Sequence, residues 1–202
     1  MSSGVRERVR DLVRAETAEV AVRVFAEHGF DQTTVDDVAR EAGISRATFF
    51  RYFGSKEEAV VASVESGGLD FGALLRTQAS DVTGAGSAWD VLTNVFEAGM
   101  ASIERDASDL RGLRARTRMI TQTPSLRAHL SEKRRSQEES LVEALTDLGA
   151  DPLTARVLAA IALAAYELTW QEWSAGDDAE LRDVFRDVFA RVPQLGAPLR
   201  PR

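Results

Sequence analysis

Hydroxyl and cationic side chains are concentrated in one short segment of the chain, between Thr33 and Lys56. After Glu41, the only side chains of this segment expected to be charged are those of Arg46, Arg51 and Lys56, although the whole chain has a formal net charge of −7. Such cations neutralise phosphates, and an arginine can also donate two parallel hydrogen bonds to the O6 and N7 atoms of guanine. The segment therefore predicts local binding of a nucleic acid by an otherwise acidic protein.

Two short helices joined by a tight turn are predicted to position these side chains. Thr33 or Thr34 caps the first helix, which has the sequence VDDVAREA, and Gly43 ends it. Ser45 caps the second helix, RATFFRYF. In a helix-turn-helix the second helix enters the major groove of DNA while the first spans the backbone. The order of elements thus predicts a helix-turn-helix.

The second helix is predicted to have an inward face and a face that reaches DNA. Ala47, Phe50 and Phe53 are expected to pack inward, and the residues left to reach DNA are Arg46, Thr48 and Tyr52 with parts of Phe49 and Arg51. Arg46 is the predicted base reader. Thr33 or Thr34, and Ser55 with Lys56, stand where phosphates would sit. The alternative is an ordinary helical hairpin with a solvated, charged face.

The segment FAEHGFDQTTVDDVAREAGISRATFFRYFGSKEEAV resembles the N-terminal domain of TetR-family regulators, continuously over Val20 to Val60. The resemblance implies a three-helix DNA-binding head on a helical body that dimerises and holds a small-molecule pocket, with ligand binding releasing DNA. Many members have tyrosine where this chain has Phe50, so the phenolic bond to phosphate is absent here. The DNA-binding residues predicted from the segment and the resemblance are Thr33, Thr34, Ser45, Arg46, Ala47, Thr48, Arg51, Tyr52 and Lys56.

The composition excludes several other classes of protein. The chain has 202 residues, of which 44% are hydrophobic and 28% charged, as in folded globular proteins. It contains no cysteine, which excludes disulfides and thiolate chemistry, and its two histidines are too few and too far apart to predict a metal site. Neither a signal peptide nor a membrane span is expected, which predicts a cytoplasmic protein without a membrane partner or a cofactor.

Apolar residues recur at three- and four-residue intervals along the chain, which predicts an all-α fold. We expect residues 1–56 to form the DNA-binding domain and residues 57–202 to form a helical domain for ligand binding and dimerisation. Residues 77–87 are rich in Gly, Ser, Thr and Ala and are predicted to be a loop or a weakly ordered connection. Prolines after Thr123 and Asp151 begin two long helices, and the second is apolar on nearly all sides up to Ser174.

The helical body yields weaker predictions about its partners. The helices around residues 125–148 and 152–174 are expected to form a homodimer. Candidate ligand-binding residues are Trp89, Phe96, Met100, Arg118, Met119, Tyr166 and Trp170, with an ordinary apolar core as the alternative. The segment LRARTRMITQTPSLRAHLSEKRRSQEESLVEAL and the helix after it resemble the C-terminal domain of TetR-type regulators from mycofactocin-associated systems, which implies a hydrophobic or acyl-thioester effector.

The predicted function is that of a sequence-specific transcriptional regulator, a repressor released from operator DNA by a small-molecule effector. Two other classes remain as alternatives. An all-α enzyme would need a catalytic motif, and the sequence has no ExxH pair, nucleophile elbow or phosphate-binding glycine loop. A helical interaction protein that does not bind DNA is the second alternative.

Overall fold

The computed structural model describes residues 3–66, 69–82, 86–106 and 109–194, and these contain helices but no strand. The predicted all-α class is therefore confirmed. The tail after Gln194 lies outside the described residues. The helices are α1 (Ser3–His28), α2 (Val35–Glu41), α3 (Arg46–Tyr52), α4 (Lys56–Ser66), α5 (Phe71–Val82), α6 (Ala88–Asp106), α7 (Leu110–Gln122), α8 (Pro124–Asp147), α9 (Pro152–Ala175) and α10 (Leu181–Arg191), followed by a 3₁₀ turn at Val192–Gln194.

The described residues of Met1–Gly68 and Asp109–Glu132 form one compact unit, here called the first unit. In it α1 packs against α4 and α7, and α2 packs against both α1 and α3. Its core is built largely from phenylalanines, because Phe25, Phe49 and Phe53 are almost completely buried. Burying one such side chain stabilises a fold by about 1.5–3 kcal/mol.

This compact unit does not end at residue 56, where the sequence places the boundary of the DNA-binding domain. Ala59, Val60 and Ala62 of α4 and Leu126 of α8 are buried in the same core as the helix-turn-helix. The apolar sides of α4 and α8 are removed from water by packing in this core together with residues of α1 to α3. The functional division into residues 1–56 and 57–202 stays a prediction.

The described residues of Leu69–Ser108 and Lys133–Arg202 form the second unit. In it α9 packs against α10 and α6, and α5 and α10 both pack against α6. Most of its largest buried side chains are aromatic. These are Phe71, Phe96, Trp173, Phe185 and Phe189.

Helix α5 corrects the predicted loop at residues 77–87. The helix continues through Thr77 to Val82. It is stabilised by packing against α6, which accompanies the burial of Phe71 and Leu75 on one of its faces. Residues 83–85 of the predicted loop lie outside the described residues. Helix α6 then begins at Ala88, where Ser87 and Asp90 each accept a hydrogen bond from the other's backbone N–H.

Helix α9 begins as predicted, with the Asp151 carboxylate accepting from the N–H groups of Leu153 and Thr154. It is less enclosed than its sequence suggests, since Leu153, Val157 and Leu168 have exposed fractions of 69%, 48% and 44%. By length and composition alone this helix could also cross a membrane, with a mean hydropathy of 1.3 over 18 residues. A core helix of a folded protein can have the same length and composition, and Ala155, Ala159 and Ala162 on one side of α9 are completely buried.

Candidate nucleic-acid interface

The first helix of the pair, α2, is fixed at its start by Thr34. The Thr34 hydroxyl accepts from the Asp37 N–H at 3.2 Å, and the Asp37 carboxylate accepts from the Thr34 N–H at 3.0 Å. The hydroxyl also donates to that carboxylate, and these hydrogen bonds, with help from Arg40, lower the pKa of Asp37 to about 2. Thr34, and not Thr33, is therefore the capping residue.

The second helix, α3, is set by the turn that precedes it. Gly43 has φ +65°, a backbone conformation that glycine adopts without strain, and it follows the last turn of α2 directly. The Ser45 hydroxyl then accepts from the Thr48 N–H at 3.1 Å, as its predicted capping role requires. Together these residues produce the abrupt change of direction between the two helices.

The inward face of α3 contains Phe53, as predicted, but Phe49 in place of Phe50 and Ala47. Phe49 and Phe53 are completely or almost completely buried, whereas Phe50 is 43% exposed and Ala47 is exposed. The predicted inward packing of Phe50 and Ala47 is therefore wrong. Residues four positions apart lie on one face of a helix, and Phe49 and Phe53 meet the core together, with Tyr52 partly buried beside them.

The outward face of α3 presents most of the residues predicted to contact DNA. Arg46, Ala47 and Arg51 are exposed, while Thr48 and Tyr52 are half-buried. Arg46 donates from Nη1 to the Asp36 Oδ2 at 2.7 Å, and its guanidinium carbon lies 5.3 Å from the centre of the Phe50 ring. The exposed face therefore offers one arginine held in place by two neighbours.

Two predicted phosphate contacts have other tasks in the structure. The Thr33 side chain is buried, and its hydroxyl donates to the Gly29 carbonyl at 2.8 Å, so this hydroxyl is not available to DNA. The Lys56 ammonium donates to the carbonyls of Phe30 at 2.7 Å and Thr33 at 3.0 Å. Lys56 therefore ties the start of α4 to the loop before α2, and one of its three N–H donors remains for a phosphate.

Ionised side chains of opposite sign alternate around α2. Arg40 pairs with Asp37, Arg23 of α1 pairs with Glu41 at 3.4 Å, and Asp36 pairs with Arg46. Such exposed pairs contribute little to stability. They do bring acids close to the proposed DNA surface, which the count of cations after Glu41 did not reveal.

The predicted ligand-binding residues are divided between the two units. Phe96 and Met100 are fully buried in the second unit, where Phe96 stacks on Phe71 with ring centres 3.9 Å apart. Tyr166 packs edge-on against both of those rings. Trp89 and Trp170 belong to the same unit, whereas Arg118 and Met119 are in α7 of the first unit. Within the second unit, Phe71, Phe96 and Tyr166 form an aromatic cluster, and the ligand-binding role of the seven predicted residues stays a prediction.

Two residues of these sites were missed from the sequence. Asp36 lies ten positions before Arg46 on another helix, and helical spacing cannot indicate a contact across a turn. Phe71 joins the aromatic cluster from α5, and its position directly before Gly72 was the available signal of close helix packing. Only the folded chain brings these residues to their partners.

A helix-turn-helix carried by an all-α chain places this protein in the class of helical DNA-binding regulators. A model of the family described as bacterial regulatory proteins, tetR family, matches residues 18–62. A second model, described as MftR C-terminal domain, matches residues 87–195, which is more than half of the chain. The chain belongs to the TetR family of bacterial regulatory proteins.

Individual relatives agree with this assignment. The putative mycofactocin biosynthesis transcriptional regulator MftR of Mycobacterium tuberculosis is 36% identical over 112 residues, which are 55% of this chain and 53% of that protein. The match thus spans about half the length of that relative. The transcriptional regulator TcmR of Streptomyces glaucescens is 26% identical over 189 residues, covering 88% of this chain and 80% of TcmR.

Solved structures share the fold. The transcriptional regulator FadR of Bacillus subtilis, crystallised in complex with stearoyl-CoA, aligns with a TM-score of 0.59 at 20% identity. The alignment covers 87% of this chain and 95% of FadR. At this identity the likeness shows the fold alone.

Proposed function

We propose that the protein is a sequence-specific DNA-binding repressor of transcription, released from its operator by a small molecule. The observation that carries this proposal is the exposed face of α3, where Arg46, Thr48 and Arg51 follow a capped helix and a tight turn. Membership of the TetR family supports it. Since that family consists of bacterial regulatory proteins, the chain is assigned as a regulator and not as an enzyme.

Base reading is proposed to depend on Arg46, with Thr48 beside it. Arg46 is exposed at the first position of α3, and the N-terminal residues of a recognition helix are those that meet base edges. Ser45, Arg51, Tyr52 and Lys56 are proposed to contact the DNA backbone around it, and Thr34 would join them only by giving up a hydrogen bond to Asp37. These contacts position the protein without reading sequence.

The proposed active form is a homodimer. Leu153, Val157 and Leu168 expose apolar surface on α9, and Leu148 exposes more directly after α8. Surfaces of this kind on otherwise polar proteins mark interaction sites. A twofold pair presents two copies of α3 to two half-sites, about 34–36 Å or a multiple of that apart.

The proposed effector is hydrophobic, with an acyl thioester as the specific candidate. Phe71, Phe96 and Tyr166 form an apolar and polarisable cluster in the second unit, and because Phe71 and Phe96 are buried, an effector would enter it by separating these rings. FadR of Bacillus subtilis has the same fold and was crystallised with stearoyl-CoA. An effector releases DNA only if it binds better to the state that does not hold the operator.

We also propose a cytoplasmic location.

Selection of duplexes from a random-sequence library tests the DNA-binding function. We expect wild-type protein to enrich a palindromic sequence, and Arg46→Ala to bind that duplex about 10- to 100-fold more weakly with a relaxed base preference. Arg191→Ala is the matched control, because Arg191 is also exposed but lies on α10 in the second unit. Fluorescence anisotropy measures the affinities at fixed salt concentration.

Two results of this experiment would contradict the proposal, each in a different part. Equal affinity of wild type and Arg46→Ala for the selected duplex would reject Arg46 as the base reader. Failure of the wild-type protein to enrich any sequence would reject the regulator function itself.

A further inference from the structure

The residue expected to read bases makes a defined contact with an acid in the free protein. Arg46 Nη1 lies 2.7 Å from Oδ2 of Asp36, and the two side chains are equally exposed, at 59% each. Asp36 is the second residue of α2, whereas Arg46 is the first residue of α3. The ion pair therefore bridges the two helices of the helix-turn-helix on its solvent side.

A second contact limits the orientation of the same guanidinium group. Its central carbon lies 5.3 Å from the centre of the Phe50 ring, one helical turn further along α3. The Phe50 ring in turn packs edge-on against the buried Phe49, with centroids 5.7 Å apart. Because Phe49 is fixed in the core, the exposed ring is a defined platform for Arg46.

The two contacts leave the arginine able to read a base. A guanidinium group has five N–H donors, and the contact with Asp36 occupies one of them. A guanine edge needs two parallel donors for its O6 and N7 atoms. Restraining the side chain before binding also reduces the conformational entropy that is lost when the contact forms.

The same carboxylate acts against binding that ignores sequence. A phosphate placed on Arg46 lies near the negative charge of Asp36, and like charges repel, whereas the guanine edge is a neutral acceptor. Pairing with Asp36 therefore weakens the phosphate contact more than the base contact. Discrimination between partners grows when the unwanted contact is penalised.

We propose that Asp36 is a positioning residue that determines DNA specificity by holding Arg46, with Phe50 as its platform. This inference rests on the proposed DNA-binding function. It assigns a role in sequence discrimination to an acid on α2 that itself reads no base.

The variant Asp36→Asn tests this inference, with Glu41→Gln as the matched control. Glu41 is on the same helix, its side chain is also 59% exposed, and it pairs with Arg23 instead of Arg46. Both changes remove one negative charge near the proposed interface. Affinities are measured by fluorescence anisotropy for the selected duplex and for a duplex with its guanines replaced, at the same salt concentration.

We expect Asp36→Asn to raise affinity for the replaced duplex and to lower the ratio of the two affinities about three- to fivefold, the scale of one exposed ion pair. Glu41→Gln is expected to raise both affinities equally and leave the ratio unchanged. In an Arg46→Ala background, Asp36→Asn should no longer change the ratio. Helical circular dichroism confirms that each variant is folded.

Two results would overturn the inference while leaving the DNA-binding function intact. One is an equal effect of Asp36→Asn and Glu41→Gln on the ratio, which would mean that only net charge matters. The other is an effect of Asp36→Asn on the affinity ratio that is just as large in the Arg46→Ala background as in the wild-type background. Absence of any discrimination by the wild-type protein is a third, different result, and it overturns the proposed function together with this inference.

Discussion

Two adjacent phenylalanines of α3 have opposite environments. Phe49 is completely buried between the helices of the first unit, and Phe50 is 43% exposed beside Arg46. A helix of seven residues has only two turns, so either phenylalanine could have met the core. The choice between them depends on the packing of α1 and α2 and could not be read from the spacing alone.

Substitution of these two residues separates stability from DNA binding. Phe49→Ala should lower the free energy of unfolding by about 3–5 kcal/mol, because it leaves a cavity in the core. Phe50→Ala should lower it by less than about 1 kcal/mol and instead weaken operator binding. Urea denaturation at fixed protein concentration measures the difference. Equal destabilisation by both changes would contradict the orientation of α3.

The lowered pKa of the Asp37 carboxyl group should make the stability of the protein depend on pH. Its pKa is lowered to about 2 in the folded protein, chiefly by the Thr34 hydroxyl. A lowered pKa gives stability that is present above the ordinary value of 3.8 and is lost as the pH falls through about 2. Thr34→Ala should raise the pKa of Asp37 and reduce the loss of stability at low pH. Thr34→Ser keeps a hydroxyl and should therefore retain both the lowered pKa and the loss of stability.

Carbon NMR titration of the Asp37 carboxyl group measures this prediction directly. Loss of the cap in Thr34→Ala should also cost about 1 kcal/mol of stability near neutral pH. An unchanged Asp37 pKa in that variant would show that the hydroxyl is not the main cause of the shift.

Helix α5 is held against α8 by a close crossing in the second unit. A Cβ atom on Gly72 would clash with the backbone oxygen of Ser140, so only glycine fits there without a shift. Beside it the Asp70 carboxylate accepts from the Ser140 hydroxyl at 2.8 Å, and Gln137 donates to the Leu69 carbonyl at 2.9 Å. These contacts join residues far apart in sequence.

Gly72→Ala should therefore destabilise the protein, although alanine ordinarily favours helix formation. We expect a loss of about 1–3 kcal/mol, since the added methyl group overpacks the crossing. Gly176→Ala is the control, because a Cβ atom added to Gly176 would meet no atom within 4 Å and the φ of Gly176 is −92°. Thermal unfolding compares the two variants. A neutral Gly72→Ala would contradict the close approach of α5 and α8.

The sequence predicted where helices begin and end better than it predicted which residues of different helices contact each other. The caps at Ser45 and Asp151 were predicted because each side chain bonds to backbone within three residues. The first part of the loop predicted at residues 77–87 is wrong, because small residues up to Val82 obscured a helix whose stability comes from packing on α6. The contact of Asp36 with Arg46 crosses a turn and has no periodic signature.

At the scale of the whole molecule, the two compact units contain different parts of the proposed function. All the proposed DNA contacts belong to the first unit, whereas the aromatic cluster and the exposed face of α9 belong to the second. Because the net charge of the chain is −7, the proposed DNA binding depends on Arg46, Arg51 and Lys56 and on the second copy of these cations in the proposed dimer. Neither the effector nor the operator could be read from the sequence.

Leu153→Glu tests the proposed dimer. Leu153 is 69% exposed on α9, and a symmetric interface repeats each substitution, so the dissociation constant of the dimer should rise by a factor on the order of a hundred. Leu12→Glu is the matched control, because Leu12 is 71% exposed on α1, outside the proposed interface. Sedimentation velocity measures the oligomeric state. Equal dissociation by both variants, or a monomeric wild-type protein, would reject this interface.

The aromatic residues of the second unit also make the protein its own optical probe. All three tryptophans of the chain, Trp89, Trp170 and Trp173, are in that unit, and Trp89 stacks on Phe189 with ring centres 5.4 Å apart. The intrinsic tryptophan emission therefore reports on the second unit alone, without any attached dye. An effector that enters the aromatic cluster should change this emission directly, while a labelled duplex reports independently on α3.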